Sequence, residues 1–152
     1  MAVQTLPVTF DTIAVGDELP KLAKTETQVT IDTYTRLIVH RRPRQFQSNN
    51  LHTDQRFADQ GIFKGTVNYG VVTVAFMMEF LQKAFPQQSV QACALSMKAL
   101  EPFRAGDTVT LSGRVLEKRV ENGGRRVVDV EIAGVNQLGQ NVAAAKATLP
   151  LE

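Results

Sequence analysis

Residues 44–81 decide the fold, and they read RQFQSNNLHTDQRFADQGIFKGTVNYGVVTVAFMMEFL. The first half is a polar loop with one histidine, His52. The second half opens a long apolar segment, residues 67–85, with glycines just ahead of it and at its first turn. A polar loop that carries a histidine and leads into a buried helix indicates a reactive site at the mouth of a core element.

The apolar segment predicts one long central helix that begins near Asn68 or Tyr69 and ends at Pro86. Apolar side chains cover nearly its whole circumference: Val71, Val72, Val74, Ala75, Met78, Phe80 and Leu81. A helix that is apolar all round must be buried on most sides. One layer of sheet would leave one side of this helix poorly covered, so we expect a homodimer, although a heteromer stays open.

Ahead of this helix, the sequence predicts a strand over residues 25–31, where Thr27, Val29 and Ile31 alternate with polar residues. Asp32 then has the character of an N-cap for a short helix, which stops before Pro43. A second short helix follows over residues 55–59, between a cap at Thr53-Asp54 and Gly61.

After the central helix, the pattern changes to strands. Turn residues at 104–107, 122–124 and 138–139 separate four runs with strand character: 91–103, 107–120, 125–136 and 141–149. Alternation within these runs predicts an antiparallel sheet with one face on the core. We therefore expect a single α+β domain over residues 1–152, with a long central helix wrapped by a curved antiparallel sheet.

Composition excludes several classes of function. A net charge of +2 and the lack of a basic stripe argue against nucleic-acid binding. The single cysteine, Cys93, cannot form a disulfide within the chain, which fits a reducing compartment. One cysteine and two histidines at unrelated spacing argue against a metal site. The N-terminus lacks the pattern of a secretory signal and the apolar segment is too punctuated for a membrane span, so we expect a cytoplasmic protein.

Five motifs in order make the chain resemble the MaoC-like hydratases and dehydratases, which have the hot-dog fold. These motifs are residues 10–17 (FDTIAVGD), the loop residues Asn49, His52, Asp54 and Ala58, the glycine-containing lead at 65–70, the turn 102–108 (PFRAGDT) and the hairpin 136–139 (NQLG). The resemblance covers nearly the whole chain.

The resemblance implies hydration or dehydration of an acyl thioester, either a trans-2-enoyl or an (R)-3-hydroxyacyl group on coenzyme A or acyl carrier protein. No cofactor is implied beyond the coenzyme A of the substrate. His52 falls on the catalytic histidine of the family, and Asn49 on an Asn that holds the loop or a water. Gly70 matches the residue whose N–H polarises the thioester carbonyl. Asn68 and Tyr69 stand where the family has an apolar residue and a His, and they could contact substrate or cap the helix.

Gln47 departs from the family, which has a catalytic Asp five residues before the His. A glutamine cannot act as a base, but it can orient a water by hydrogen bonds. His52 could act nearly alone, or Asp54 beside the site could take part of the role. Alternatively, the chain could be a non-catalytic or heteromeric subunit that binds acyl thioesters.

Two further observations bear on substrate and reaction. The arginines Arg41, Arg42 and Arg44 form a solvated cluster that could also pair with coenzyme A phosphates or an acidic carrier protein. A hot-dog thioesterase is a rival reading, but Glu79, the only acid in the predicted helix, lies too deep to reach a carbonyl at its N-terminus.

Overall fold

The computed structural model describes residues 8–39 and 49–152. These residues form a five-stranded sheet and four helices. The elements in order are β1 (Leu22–Thr25), α1 (Gln28–Val39), α2 (Gln55–Gln60), α3 (Gly70–Ala84), α4 (Gln87–Gln91), β2 (Ala94–Ala99), β3 (Thr108–Val120), β4 (Arg126–Val135) and β5 (Asn141–Pro150). The strand order is β1-β3-β4-β5-β2, and every neighbouring pair is antiparallel. The predicted α+β class and antiparallel sheet are confirmed.

The predicted strand over residues 25–31 is wrong, because β1 ends at Thr25 and α1 begins at Gln28. Thr27 and Thr30 hydrogen-bond each other's backbone N–H through their hydroxyls, both at 3.1 Å, and this exchange closes the first turn of α1. Ile31 is buried, but on the inner face of a helix rather than of a strand.

Asp32 is therefore not an N-cap. It lies inside α1, where its carboxylate accepts a hydrogen bond from the Gln28 side chain one turn earlier, at 2.9 Å. The end predicted for this helix, before Pro43, lies outside the described residues, as do His40 and the arginines Arg41, Arg42 and Arg44.

The other helix boundaries follow the sequence closely. Asp54 caps α2 by accepting a hydrogen bond from the N–H of Phe57, and Gly61 ends that helix, as predicted. The central helix α3 starts at Gly70 and ends at Ala84, ahead of Pro86. The short helix α4, which the sequence pattern did not predict, takes up the first residue of the strand predicted over residues 91–103. The observed strand β2 is shorter and runs from Ala94 to Ala99.

The sheet packs against α3 through a close approach at Gly113 in β3. The ring of Phe80 is fully buried there, and a Cβ on Gly113 would lie 3.1 Å from Phe80 Cε1 and 2.6 Å from the carbonyl oxygen of Glu131. Such distances leave no room for a side chain. The glycine therefore sets how near α3 can lie to the sheet.

Residues 8–39 and 49–152 leave one side of α3 uncovered. Thr73, Met77, Phe80 and Leu81 are buried, whereas Val71 is 56% exposed and Ala75 is also exposed. Most of the helix is buried or half-buried, and the exposed side agrees with the prediction that one layer of sheet leaves one side of this helix poorly covered. A helix that is apolar all round still requires a cover for its second side.

Replacing Gly113 by alanine should lower the free energy of unfolding by about 2 kcal/mol, because the new methyl group overlaps a backbone oxygen and a packed ring. Chemical denaturation would measure the change. Gly61→Ala is the matched control, since its Cβ would lie 3.4 Å from the Ala58 oxygen, an ordinary contact. Equal stability of the two variants would contradict the close packing at Gly113.

Candidate active site

The loop that carries His52 is held by one asparagine and one glutamine. The Asn50 side-chain oxygen accepts a hydrogen bond from the His52 N–H at 2.9 Å, which forms a local turn. The Gln28 amide on α1 donates to the His52 carbonyl at 3.0 Å, and its oxygen accepts from the Thr66 hydroxyl at 3.3 Å. The backbone of His52 is thus fixed from α1 and from its own loop.

The imidazole of His52 has a defined tautomer. Its Nδ1 lies 2.8 Å from the carbonyl oxygen of Val67. A carbonyl oxygen can only accept, so Nδ1 carries the proton and Nε2 keeps a free lone pair. Burial lowers the pKa of His52 from its ordinary value of 6.5, and the bond to Val67 opposes this shift. The ring is therefore neutral near pH 7 and is able to accept a proton at Nε2.

Tyr69 lies directly against this imidazole. The two ring centroids are 3.6 Å apart at an interplanar angle of 26°. The Tyr69 hydroxyl lies 2.9 Å from the hydroxyl of Thr35 on α1 and 3.1 Å from the Asn50 amide nitrogen. Tyr69 therefore connects α1, the His52 loop and the start of α3.

The N-terminus of α3 follows immediately. The carbonyl of Tyr69 accepts from the N–H groups of Val72 and Thr73, at 3.0 and 3.4 Å. The N–H groups of Gly70 and Val71, at the first two helical positions, precede the first possible intrahelical bond. A Cβ on Gly70 would meet no atom of residues 8–39 or 49–152 within 4 Å, so these residues leave the space beside this position free. Such an end favours an anionic or developing-anionic oxygen.

Asn68 has no hydrogen bond for its buried side chain. It is 8% exposed, and neither its amide nitrogen nor its amide oxygen finds a partner among the described residues. Its backbone N–H donates to the Phe103 carbonyl at 2.6 Å, which ties the entry of α3 to the loop between β2 and β3. An unsatisfied buried amide costs stability.

The structure brings together only some of the residues predicted for the site. His52, Tyr69 and Gly70 are contiguous around the start of α3, and Asn68 is next to them in sequence. Asn49 is exposed, with a φ of 58°, and Asp54 serves as the cap of α2. Gln47 lies outside the described residues.

Three contributors were not predicted: Gln28, Thr35 and Asn50. Asn50 is one residue from the predicted Asn49, and an Asx-type turn ahead of His52 would have been the signal for it. Gln28 and Thr35 reach the site across 24 and 34 residues of sequence, and no local pattern indicates such contacts.

Other parts of the described chain show different surfaces. Residues 8–39 and 49–152 contain no cluster of three or more His, Cys, Asp or Glu side chains that could hold a metal ion. No helix in these ranges has both the length and the hydropathy to cross a bilayer.

An open groove of about 780 Å³ crosses the outer face of the sheet, where Arg114 pairs with Glu131 at 2.5 Å. That groove is a solvated charged face and does not include His52.

The sheet order, the central helix and solved structures of related shape define the hot-dog class of proteins. An Archaeoglobus protein described as a monoamine oxidase regulatory protein is 26% identical, with a TM-score of 0.76 over 95% of this chain and 94% of its own. The (R)-hydratase PhaJ1 of Pseudomonas aeruginosa is 18% identical, with a TM-score of 0.72 over 95% and 86%. The ChsH1-ChsH2 complex of Mycobacterium tuberculosis contains a chain that is 22% identical, with a TM-score of 0.69 over 91% and 98%.

Within this class, the MaoC-like domain model matches residues 23–137. The chain belongs to the MaoC-like dehydratase family. No protein with a curated description shows significant sequence similarity to it.

Replacing Asn68 by leucine should raise the free energy of unfolding by about 1–2 kcal/mol, because the change replaces two unsatisfied buried polar atoms by methyl groups in a side chain of the same branched shape. Thermal or chemical denaturation would measure it. Asn136→Leu is the matched control. Asn136 is equally buried at 7%, but its amide bonds Gln140 and the N–H of Leu138, so its loss should destabilise. Destabilisation of both variants would contradict an unsatisfied amide at Asn68.

Proposed function

We propose that this protein hydrates trans-2-enoyl thioesters, or dehydrates (R)-3-hydroxyacyl thioesters, with His52 as the acid and base. The observation that carries the proposal is the Nδ1 bond of His52 to Val67, which leaves Nε2 free to accept a proton on a ring that stacks against Tyr69, the N-cap of α3. Membership of the MaoC-like family supports the same reaction class.

In the hydration direction, Nε2 of His52 takes a proton from water while the water oxygen bonds to Cβ of the enoyl group. The electron pair of the double bond moves onto the thioester oxygen. The N–H of Gly70 and the dipole of α3 stabilise the resulting enolate. The imidazolium of His52 then returns its proton to Cα, which gives the 3-hydroxyacyl product and restores the neutral ring. Dehydration is the same sequence reversed.

Gln47 and Asn49 are assigned supporting roles in this proposal. Gln47 replaces a carboxylate by an amide, so it would orient the attacking water rather than deprotonate it. Asn49, three residues before His52, would hold the loop or the same water. Asp54, whose carboxylate caps α2 close to His52 in sequence, would border the substrate, as would Asn68 and Tyr69.

The proposed substrate is carried on coenzyme A or on acyl carrier protein, with no additional cofactor. The guanidinium groups of Arg41, Arg42 and Arg44 would pair with its phosphates or with the acidic carrier. The single cysteine of the sequence is consistent with a cytoplasmic location.

The rival thioesterase reaction has less support. It requires a carboxylate aimed at the thioester carbonyl, and Glu79 lies in the third turn of α3. Its carboxylate is also bonded to Lys24 at 2.7 Å. A non-catalytic or heteromeric role in binding acyl thioesters remains the second candidate, favoured by the amide at Gln47.

Incubation of the pure protein with crotonyl-CoA should bleach the enoyl absorbance without releasing free thiol. His52→Gln should lower kcat by at least about 100-fold, because it removes the only proposed acid and base. Thiol release would instead indicate a thioesterase, and silence across acyl chain lengths would favour the binding role. Full activity of His52→Gln would rule out the mechanism.

Gln47→Asp is the complementary variant in the same assay. A large gain in kcat would show that the amide limits turnover. An unchanged rate would show that His52 does not depend on a carboxylate at this position.

We also propose that two copies form a homodimer across the uncovered side of α3 and the free edge of β2. The apolar exposed side chains on α3 and the terminal position of β2 in the sheet support this arrangement. A hetero-oligomer of two related chains is the alternative.

Val71→Asp should convert such a dimer to monomers in sedimentation velocity, because it buries a carboxylate in the proposed interface. Val120→Asp is the matched control, since Val120 is 60% exposed against 56% for Val71 and lies at the end of β3. A wild-type protein that sediments as a monomer, or dissociation of both variants alike, would contradict this interface.

A further inference from the structure

Tyr69 occupies the position before Gly70, and its contacts allow its role to be separated from that of His52. Its hydroxyl lies between Thr35 and Asn50. The hydroxyl of Thr35 already donates its proton to the carbonyl of Ile31 at 2.9 Å, so it can only accept from Tyr69. The Asn50 nitrogen can only donate to the phenol oxygen.

The single proton of the Tyr69 hydroxyl is therefore committed to Thr35. The phenol has no free proton to give to a substrate, and its oxygen accepts from Asn50. These bonds tie the ring to α1 and to the His52 loop, whereas its backbone forms the first turn of α3. The side chain is built to hold a position and not to transfer a proton.

Tyr69 restricts the movement of the His52 imidazole. The Val67 carbonyl fixes one edge of the His52 ring, but one hydrogen bond still permits rotation about that bond. Tyr69 covers one face at a centroid distance of 3.6 Å, which removes this freedom. Nε2 then points in one direction relative to the N–H of Gly70.

We propose that Tyr69 is a positioning residue that keeps the His52 imidazole bonded to the Val67 carbonyl, and therefore in one orientation relative to the N-terminus of α3. For turnover, this inference rests on the hydratase activity proposed above. For the orientation of His52, it rests on the contacts of Tyr69 alone. A misplacement of about 1 Å at a reacting group can lower a rate by about 100-fold.

Two variants of Tyr69 separate the stack from the hydroxyl. Tyr69→Leu, which removes the aromatic face, should lower kcat by about 100-fold with KM changed less than about threefold. Tyr69→Phe keeps the face and loses only the bonds to Thr35 and Asn50, so it should retain most of kcat. Tyr34→Leu is the control, because Tyr34 meets Tyr69 edge-on at 4.9 Å and should leave kcat unchanged.

A second readout does not require turnover. The chain has two histidines, so the ¹⁵N spectrum of labelled protein can be assigned with His52→Gln. Wild type and Tyr69→Phe should show His52 as a single tautomer protonated at Nδ1, whereas Tyr69→Leu should show averaged tautomers. Unfolding midpoints would establish that each variant is folded.

The outcomes distinguish the two proposals. Averaging of the His52 tautomer in Tyr69→Leu supports the positioning role even if no thioester is turned over. An unchanged His52 spectrum in a folded Tyr69→Leu protein would overturn it, as would a raised KM with kcat intact, which would leave Tyr69 as a substrate contact with no effect on His52.

Discussion

The contact between Phe80 and Gly113 is the constraint on which the rest of the structure depends. A fully buried ring on α3 lies against a position in β3 where no side chain fits. This contact fixes the distance between the central helix and the sheet, and with it the place where the helix begins. Because the proposed chemistry occurs at that beginning, the packing of the core determines the position of the site.

From Val67 to Gly70, the chain joins the core to the site within four residues. Val67 is buried, and its carbonyl accepts the hydrogen bond that orients His52. Tyr69 stacks on the imidazole, and Gly70 is the first residue of α3. A hydrogen bond from the Asn68 backbone to Phe103 fastens this segment to the turn ahead of β3. A small displacement of the helix would therefore change the distance between His52, the proposed proton acceptor, and the N–H of Gly70, proposed to stabilise the enolate.

Local signals made much of this fold predictable. Pro86 and Gly61 end helices, and the residues around Asn122-Gly123 form the hairpin between β3 and β4 as their sequence indicates. The start of α1 was missed because Thr27, Val29 and Ile31 fit a strand as well as a helix. The side-chain exchange between Thr27 and Thr30 decides between them, and it is visible only in three dimensions. His52 was proposed from its motif, whereas the contacts of Gln28 and Thr35 connect distant parts of the chain, which no local pattern indicates.

The site is also separable from the sheet. The described residues around the imidazole all lie between β1 and the start of α3. Two bonds to the backbone of this segment connect it to the turn ahead of β3: the Phe103 carbonyl accepts from the Asn68 N–H, and the Arg104 guanidinium donates to the Thr66 carbonyl. Backbone contacts do not depend on the identity of the residues that they hold. During evolution, the residues of this segment could therefore be replaced, with the gain or loss of a reaction. The residues of the core would stay under unchanged selection.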